Sequence, residues 1–225
     1  TLTISGGITN TAGLTLGGIG DFSITGIVSG SSNSTSNFTK DGAGKLLLSG
    51  NNTYAGATSI TTGVVQISNS NAFGTLSGSQ GTTIADGTAI EINATTAITI
   101  PEAITLNGTG VSNTGAIRLL STSTSTPTLS GTITAASATR INTDVSSGTS
   151  TLTITGGITN TAGITFGTTS TGNIAVSGII SGSDASNSNI IKEGSAGKLL
   201  LSGVNTYAGT TSITAGVVQL KTFGD

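Results

Sequence analysis

The stretch Gly42–Ile67, GAGKLLLSGNNTYAGATSITTGVVQI, alternates short apolar segments with turn-forming glycine, serine and asparagine. Leu46 and Leu48 fall on the same side of a first strand, because successive side chains of a strand point to opposite faces. The segments around Ile60 and at Val64–Ile67 supply two further faces. Glycine and asparagine between them tolerate the backbone conformations of tight turns. The stretch therefore predicts short strands that turn sharply from one face to the next.

This stretch belongs to a long internal repeat. Lys40–Ile67 returns as Lys192–Leu220, with one added residue near Ser195. Residues 1–17, TLTISGGITNTAGLTLG, return at 151–167 as TLTITGGITNTAGITFG with only three substitutions. Repetition of this length is typical of solenoids, in which each structural unit contacts only its neighbours.

The offset between the copies grows from 150 to 153, which places insertions in the polar stretches Gly17–Phe22 and Asp41–Lys45. Insertions are tolerated in surface loops, so we expect loops there. We expect residues 1–150 to be a first β-helical repeat unit. Residues 151–225 then form the first half of the next tandem unit, continuous with the first.

Residue types select the fold class. Period-two alternation and abundant Ile, Val and Thr favour strands, and few helix-forming residues are present. A β-sandwich of this length normally fills its core with aromatic side chains, whereas this chain has no Trp, five Phe and two Tyr. We predict an all-β fold, a right-handed parallel β-helix (β-solenoid), as a single continuous rod with negligible helix. At about 20–25 residues per coil, the chain forms roughly nine to eleven coils, about six or seven of them in the first unit.

Composition excludes several kinds of site. With no His and no Cys, the chain cannot form a His or Cys metal site, a Ser-His-Asp triad or a disulfide. Calcium-loop motifs are missing too, so we expect no metal and no cofactor. A net charge of −2 gives no basic surface for nucleic acid, and without a long apolar run we expect no direct membrane insertion in this segment.

Catalysis on a β-helix would require clustered charged residues, and the acidic residues are instead dispersed along the sequence. We therefore expect no enzyme activity and no catalytic residue. The acidic positions are Asp21, Asp41, Asp86, Glu91, Glu102, Asp144, Asp184, Glu193 and Asp225.

The repeated lysines and tyrosines have structural interpretations. For the repeat-equivalent pairs Lys40 and Lys192, and Lys45 and Lys198, we expect solvated turns or ion pairs with Asp41 and Glu193. We expect Tyr54 to lie over its coil with the hydroxyl in water. Ligand stacking on Tyr54 and Tyr207 is the alternative for the rings.

Both copies of the opening stretch resemble the autotransporter-associated β-strand repeat. Its pattern is a Gly-small-Gly start, alternating Leu, Ser-Gly, and Asn-Thr-Tyr-x-Gly. About a quarter of the chain carries the resemblance. The structural repeat motif comprises Gly44, Leu46, Leu48, Gly50, Asn52, Tyr54, Gly56, Gly197, Leu199, Leu201, Gly203, Asn205, Tyr207 and Gly209.

The resemblance implies the passenger region of a bacterial type V-secreted surface protein or adhesin, extracellular at the cell surface. We expect a structural or adhesive stalk or spacer in a very long protein or fibre. Neighbouring repeats of the same protein, stacked end to end, are the expected partners, with a cell-surface, matrix or polysaccharide ligand in addition. A polysaccharide-binding or polysaccharide-degrading β-helix is one alternative. A Thr-rich ice-binding solenoid is another, based on Thr1–Thr3, Thr122–Thr126 and Thr151–Thr155.

Overall fold

The protein is a stack of short parallel strands. A computed structural model describes residues 1–75, 80–120, 124–169 and 171–221, and in this part the only helical element is one 3₁₀ turn, Val111–Asn113. The strands, in chain order, are β1 (Leu2–Ile4), β2 (Ile8–Thr9), β3 (Leu14–Leu16), β4 (Phe22–Ile24), β5 (Val28–Gly30), β6 (Phe38–Lys40), β7 (Lys45–Leu48), β8 (Thr53–Tyr54), β9 (Thr58–Ile60), β10 (Val64–Ile67), β11 (Thr82–Ile84), β12 (Ala89–Ile92), β13 (Thr99–Ile100), β14 (Ile104–Leu106), β15 (Ile117–Leu119), β16 (Thr128–Leu129), β17 (Ile133–Ala135), β18 (Thr139–Thr143), β19 (Thr151–Ile154), β20 (Ile158–Asn160), β21 (Ile164–Thr168), β22 (Asn173–Val176), β23 (Ile180–Ser181), β24 (Ile190–Glu193), β25 (Lys198–Leu201), β26 (Thr211–Ile213) and β27 (Val217–Leu220).

The chain visits three faces in a fixed order, and each circuit is one coil. Face 1 is a ten-stranded sheet of β1, β4, β7, β10, β12, β15, β18, β21, β24 and β26. Face 2 consists of a three-stranded sheet, β2, β5 and β8, and a six-stranded sheet, β13, β16, β19, β22, β25 and β27. Face 3 is an eight-stranded sheet of β3, β6, β9, β11, β14, β17, β20 and β23.

This arrangement is a parallel β-solenoid, which confirms the predicted fold class. A strand on one face pairs with the strand of the next coil on the same face, as β4 pairs with β1 and with β7. Coil length varies. Paired residues on face 1 are 19 positions apart at Leu46 and Val65, and 27 apart at Ile90 and Ile117. The repeat's insertions lie between β3 and β4 and between β6 and β7, at corners where we expected loops.

The core consists of columns of aliphatic side chains along the bore. On face 1 one column stacks five buried residues in register: Ile24, Leu48, Ile67, Ile92 and Leu119. Burial of each side chain contributes about 1.5–3 kcal/mol relative to exposure. Because every coil stacks its own aliphatic residues on those of its neighbours, the narrow bore is filled with few aromatic rings.

At the corners between faces, glycine allows the backbones of successive coils to approach each other closely. A Cβ atom on Gly50 would lie 2.2 Å from the carbonyl oxygen of Gly26 in the preceding coil. A Cβ on Gly26 would in turn lie 2.1 Å from the carbonyl oxygen of Gly6. These contacts explain why the turn segments are rich in glycine.

No helix among the described residues has the length and apolar character that a membrane crossing requires.

Candidate functional site

The repeated motif forms a module of three successive coils linked by buried asparagines. The Asn52 side chain accepts a hydrogen bond from the Val28 amide at 2.9 Å and donates one to the Ala72 carbonyl at 2.7 Å. It thereby connects the coil before it with the coil after it. In the second copy, Asn205 accepts a hydrogen bond from the Ile180 amide at 2.9 Å. Buried polar groups of this kind are costly unless they are paired, so the asparagine fixes the spacing of the coils.

A second asparagine secures the start of the module in the same way. Asn10 Oδ1 accepts a hydrogen bond from the Gly13 amide at 2.9 Å, and its Nδ2 donates to the Asn37 carbonyl at 2.9 Å. In the second copy, Asn160 bonds Gly163 at 2.9 Å and Asn189 at 3.0 Å. The hydrogen bonds of the two copies therefore match in partner and length.

A buried lysine occupies one corner of each module. Lys40 is fully buried, and its Nζ donates to the carbonyl oxygens of Asp41 at 3.1 Å, Gly42 at 2.5 Å and Thr62 at 3.2 Å. Burial lowers the pKa of Lys40 from its ordinary value of 10.5. The expectation that Lys40 is a solvated turn residue was therefore wrong. Strand alternation places Lys40 on the same side as Phe38, which points into the bore.

The equivalent lysine of the second copy has a similar environment. Lys192 is fully buried, and its Nζ contacts the Thr168 hydroxyl at 2.8 Å and the carbonyl oxygens of Glu193 at 2.5 Å and Gly194 at 2.7 Å. Burial lowers the pKa of Lys192 as well. Its expected role as a solvated residue or an ion-pair partner was also wrong. The ammonium group satisfies the carbonyl oxygens of a tight corner, so the repeat retains a cation inside the bore.

Tyr54 lies in the core and not over the coil. The side chain is fully buried, and its ring stacks on Phe38 with centroids 5.5 Å apart. The hydroxyl hydrogen-bonds to Thr58 Oγ1 at 2.7 Å, and burial raises the pKa of the phenol. The prediction that this hydroxyl reaches water was wrong. Tyr207 makes the same hydroxyl contact with Thr211, at 2.6 Å.

The remaining motif residues have packing roles in both copies. Leu46 and Leu48 point into the bore, as do Leu199 and Leu201. At the glycine positions, an added Cβ would come within 2.5 Å of a neighbouring coil. These positions are Gly44, Gly50, Gly56, Gly197, Gly203 and Gly209.

The two copies lie on different faces of the solenoid. Leu2–Ile4 is on face 1, whereas its counterpart Leu152–Ile154 is within the face 2 strand β19. Likewise β7 is on face 1 and its counterpart β25 is on face 2. Counting along face 1, the repeat spans six turns plus one face. The internal contacts of the module are therefore preserved while the whole module is rotated by one face about the rod axis.

The comparisons with known proteins address this repeated module. Residues 38–67 and 190–220 match the sequence model of a protein family, the passenger-associated-transport-repeat. Both copies match this transport repeat. The match confirms the resemblance to an autotransporter passenger repeat. It covers the buried lysines, the paired leucines, the tyrosines, Asn52 and Asn205, whereas Asn10 and Asn160 lie outside it. No curated protein and no solved structure matches the chain.

From the first transport repeat onward, face 1 carries a ladder of charged side chains. Lys45 Nζ lies 2.7 Å from Glu91 Oε2, and Gln66 Nε2 donates to the same oxygen at 3.2 Å. Arg118 Nη1 lies 2.9 Å from Glu91 Oε1, and Arg118 also pairs with Asp144. These residues are far apart in sequence, and parallel pairing brings them together. Sequence reasoning missed this ladder, because the varying coil length hides the register.

The ladder also changes the assignments of the remaining lysines and acids. The partner of Lys45 is Glu91 and not Asp41, so that expectation was wrong. Glu193 pairs with Arg140, at 2.6 Å, and not with a lysine. Lys198 is exposed as expected, but it begins the strand β25 and is not in a turn. Both carboxylates of the ladder, Glu91 and Asp144, have a cationic partner within salt-bridge distance.

One carboxyl group differs from those of the ladder. Glu102 is only 6% exposed, and no cation lies within salt-bridge distance in the part of the chain that the structure describes. Burial raises its pKa from 4.5 to about 7. A perturbed pKa is also found at catalytic sites. Glu102 lies in the short connection between β13 and β14, and groups of three or more potential metal ligands are absent among the described residues.

Proposed function

We propose that this chain is a segment of the extracellular stalk of a bacterial surface protein. The observation that carries the proposal is the continuous parallel solenoid combined with the two transport repeats, each of which joins three coils through buried side chains. A passenger repeat of this family is expected on a protein secreted to the cell surface. At about 4.8 Å per coil, the ten strands of face 1 give a rod about 45 Å long.

The role is structural and not catalytic. The buried lysine, asparagine and tyrosine of the first transport repeat form internal hydrogen bonds, and charged residues along face 1 pair with one another across coils. Such hydrogen bonds make the spacing of the coils rigid, because each buried polar group that bonds to a neighbouring coil fixes the position of one coil relative to the next. Neighbouring units of the same protein are the proposed partners, through strand pairing from coil to coil. An adhesive contribution would come from the outer surface of the rod.

Surface display tests the proposal. The 225-residue chain, carrying an N-terminal epitope, is fused to the outer-membrane anchor of an autotransporter and expressed in a Gram-negative host. We expect the epitope to be accessible to antibody on intact cells, and the chain to resist external protease. Retention inside the cell, or rapid digestion at the surface, would contradict the stalk role. Release of reducing sugar from a polysaccharide panel would contradict the non-catalytic assignment.

A further inference from the structure

Each copy of the long internal repeat forms the same shallow groove on its outer surface. The groove of the first copy has a volume of about 340 Å³, and that of the second copy about 350 Å³. The first is lined by Thr9, Thr11, Ser29, Gly30, Ser31 and Thr53. The second is lined by Thr159, Thr161, Ser181, Gly182, Ser183 and Thr206. The two linings are identical, position by position, and differ only in the face that carries them.

The floor of the groove is rigid. A Cβ on Gly30 would lie 2.3 Å from the Asn10 carbonyl oxygen and 2.6 Å from Ser36 Oγ. The same distances, 2.3 Å and 2.6 Å, separate a Cβ on Gly182 from the Asn160 carbonyl and Ser188 Oγ. Asn10 is itself held by its two side-chain hydrogen bonds. The backbone of the groove is therefore fixed before any ligand arrives, which lowers the entropic cost of binding.

The lining supplies hydroxyl groups without charge and without aromatic rings. Thr9, Ser29 and Thr53 lie side by side in successive coils of face 2. The side-chain hydroxyls of Thr9 and Thr53 make no hydrogen bond within the described part of the protein, and the same holds for Thr159 and Thr206. These groups are therefore available to a ligand that both donates and accepts hydrogen bonds.

We propose that each groove binds a short segment of a neutral glycan. Successive coils are about 4.8 Å apart, so an extended glycan that lies along the rod axis meets the hydroxyl groups of one coil at each sugar residue. A neutral ligand fits because no lysine or arginine lines either groove. Without an aromatic platform each site binds weakly, and affinity on a long array comes from many sites. This role goes beyond that of a stalk.

The rotation of the module by one face places the two grooves on different sides of the rod. The first groove lies beside face 2 and the second beside face 3, because the repeat spans six turns plus one face. One straight glycan segment cannot occupy both grooves. The chain therefore binds two short oligosaccharides independently, with equal affinity at the two sites.

Titration of the ¹⁵N-labelled chain with cellotetraose, maltotetraose and mannotetraose tests the inference, with tetragalacturonate as the acidic comparison. We expect at least one neutral tetraose to shift the amides of both grooves with a common Kd. Thr9→Val combined with Thr53→Val should weaken binding at the first groove by about tenfold or more and leave the second unchanged. Thr159→Val combined with Thr206→Val should give the reverse result.

A matched control keeps structural effects apart from binding. Thr99→Val combined with Thr128→Val removes two paired outward hydroxyls of face 2 that line neither groove. This control should bind like the parent chain, and the circular dichroism spectrum should be unchanged in all variants. A well-folded chain that binds no neutral tetraose would overturn the inference and leave the stalk proposal intact.

Other outcomes would overturn it as well. Tighter, salt-sensitive binding of tetragalacturonate would assign the grooves to an acidic ligand. Inhibition of ice growth that is lost in the groove variants would assign the hydroxyls to ice. The structure gives less support to ice binding, because the two Thr-rich segments lie on different faces. Thr1–Thr3 leads into β1 on face 1, whereas Thr151–Thr155 contains β19 on face 2. Of the third Thr-rich segment, Thr122–Thr126, residues 122 and 123 lie outside the described part.

Discussion

The guanidinium group of Arg140 passes across an entire coil to reach the carboxylate of Glu193, with Nη1 and Oε2 2.6 Å apart. The strand between them is β21, and Gly167 of that strand is the residue over which the arginine passes. A Cβ on Gly167 would lie 2.5 Å from Arg140 Nη2 and 2.3 Å from Asn142 Oδ1. The missing side chain therefore creates the path for an ion pair that spans three coils of face 1.

Gly167→Ala should break this ion pair. The added methyl group displaces the ends of Arg140 and Asn142, which crowds a well-packed surface. We expect the free energy of unfolding to fall by about 1–2 kcal/mol. The lost ion pair accounts for only part of this, because solvent screens the half-exposed Glu193. Urea denaturation measures this change.

Gly157→Ala is the control for that substitution. A Cβ on Gly157 would meet only the Ile179 carbonyl oxygen, at 3.6 Å, an ordinary contact. Its stability should therefore stay close to that of the parent chain. Equal losses in the two variants would show that the cost arises from replacing any glycine of the coil and not from blocking the Arg140 path.

Lys40→Met should destabilise the first transport repeat. The substitution keeps the apolar stem and removes the ammonium group that satisfies the carbonyl oxygens of Asp41, Gly42 and Thr62. Hydrogen bonds to a charged group contribute about 1.5–3 kcal/mol, and we expect a loss of up to that size in urea denaturation. Lys198→Met removes an exposed lysine and should change stability by less than about 0.5 kcal/mol. A Lys40→Met chain as stable as the parent would contradict the assignment of the ammonium as a structural donor.

Glu102 should make stability depend on pH. Its pKa is about 7 in the folded chain and close to 4.5 when unfolded, so the folded state binds the proton more tightly. The stabilisation is complete below pH 4.5 and is lost as the pH rises through 7. The loss is about 3 kcal/mol at full titration, by linkage.

Urea denaturation at pH 5 and pH 8 measures this loss. Glu102→Gln should flatten the pH dependence and stabilise the chain at pH 8. Asp86→Asn, at an exposed carboxyl group, should retain the slope of the parent. The same slope in Glu102→Gln and the parent would assign the pH dependence to another group.

The sequence carried enough information for the fold class and for three strands of the repeat, β7, β9 and β10. It did not show that β10 returns to the face of β7, where a further face was expected, and it missed β8. Alternating Leu46 and Leu48, with turn residues after them, identify a strand and its corner without any structure. The same alternation contained the signal for the buried lysine, since Lys40 has the parity of Phe38. We expected Lys40 to be solvated because lysine is rarely buried unless it is paired. Here the ammonium group is paired with three backbone carbonyl oxygens, and the side chain is buried.

Other features could not be derived from sequence, because they depend on register. Glu91 contacts Lys45 and Arg118 only because two coils of 19 and 25 residues and one of 27 happen to align these positions. The varying coil length also prevents an exact count of turns per unit from the sequence, which gave about six or seven. The face on which the second transport repeat lies is therefore a property of the folded chain alone.

Engineered disulfides test the rotation of the second copy directly, and the chain contains no cysteine of its own to interfere. Thr153 corresponds to Thr3, which lies on face 1, but in the structure Thr153 pairs with Thr128 on face 2. Paired residues of adjacent strands lie within the Cα separation that a disulfide accepts. Thr128→Cys with Thr153→Cys should therefore cross-link under mild oxidation, as a mobility shift on non-reducing gels.

The competing arrangement puts both copies in phase. Thr153 would then lie on face 1 beside the strand that contains Asn142, and Asn142→Cys with Thr153→Cys would cross-link instead. We expect no cross-link in that pair, because the two residues are on different faces of one coil. If rotation by one face is repeated in each unit, a motif returns to its starting face only after three units. A surface feature of the transport repeat would then be presented successively on all sides of the rod.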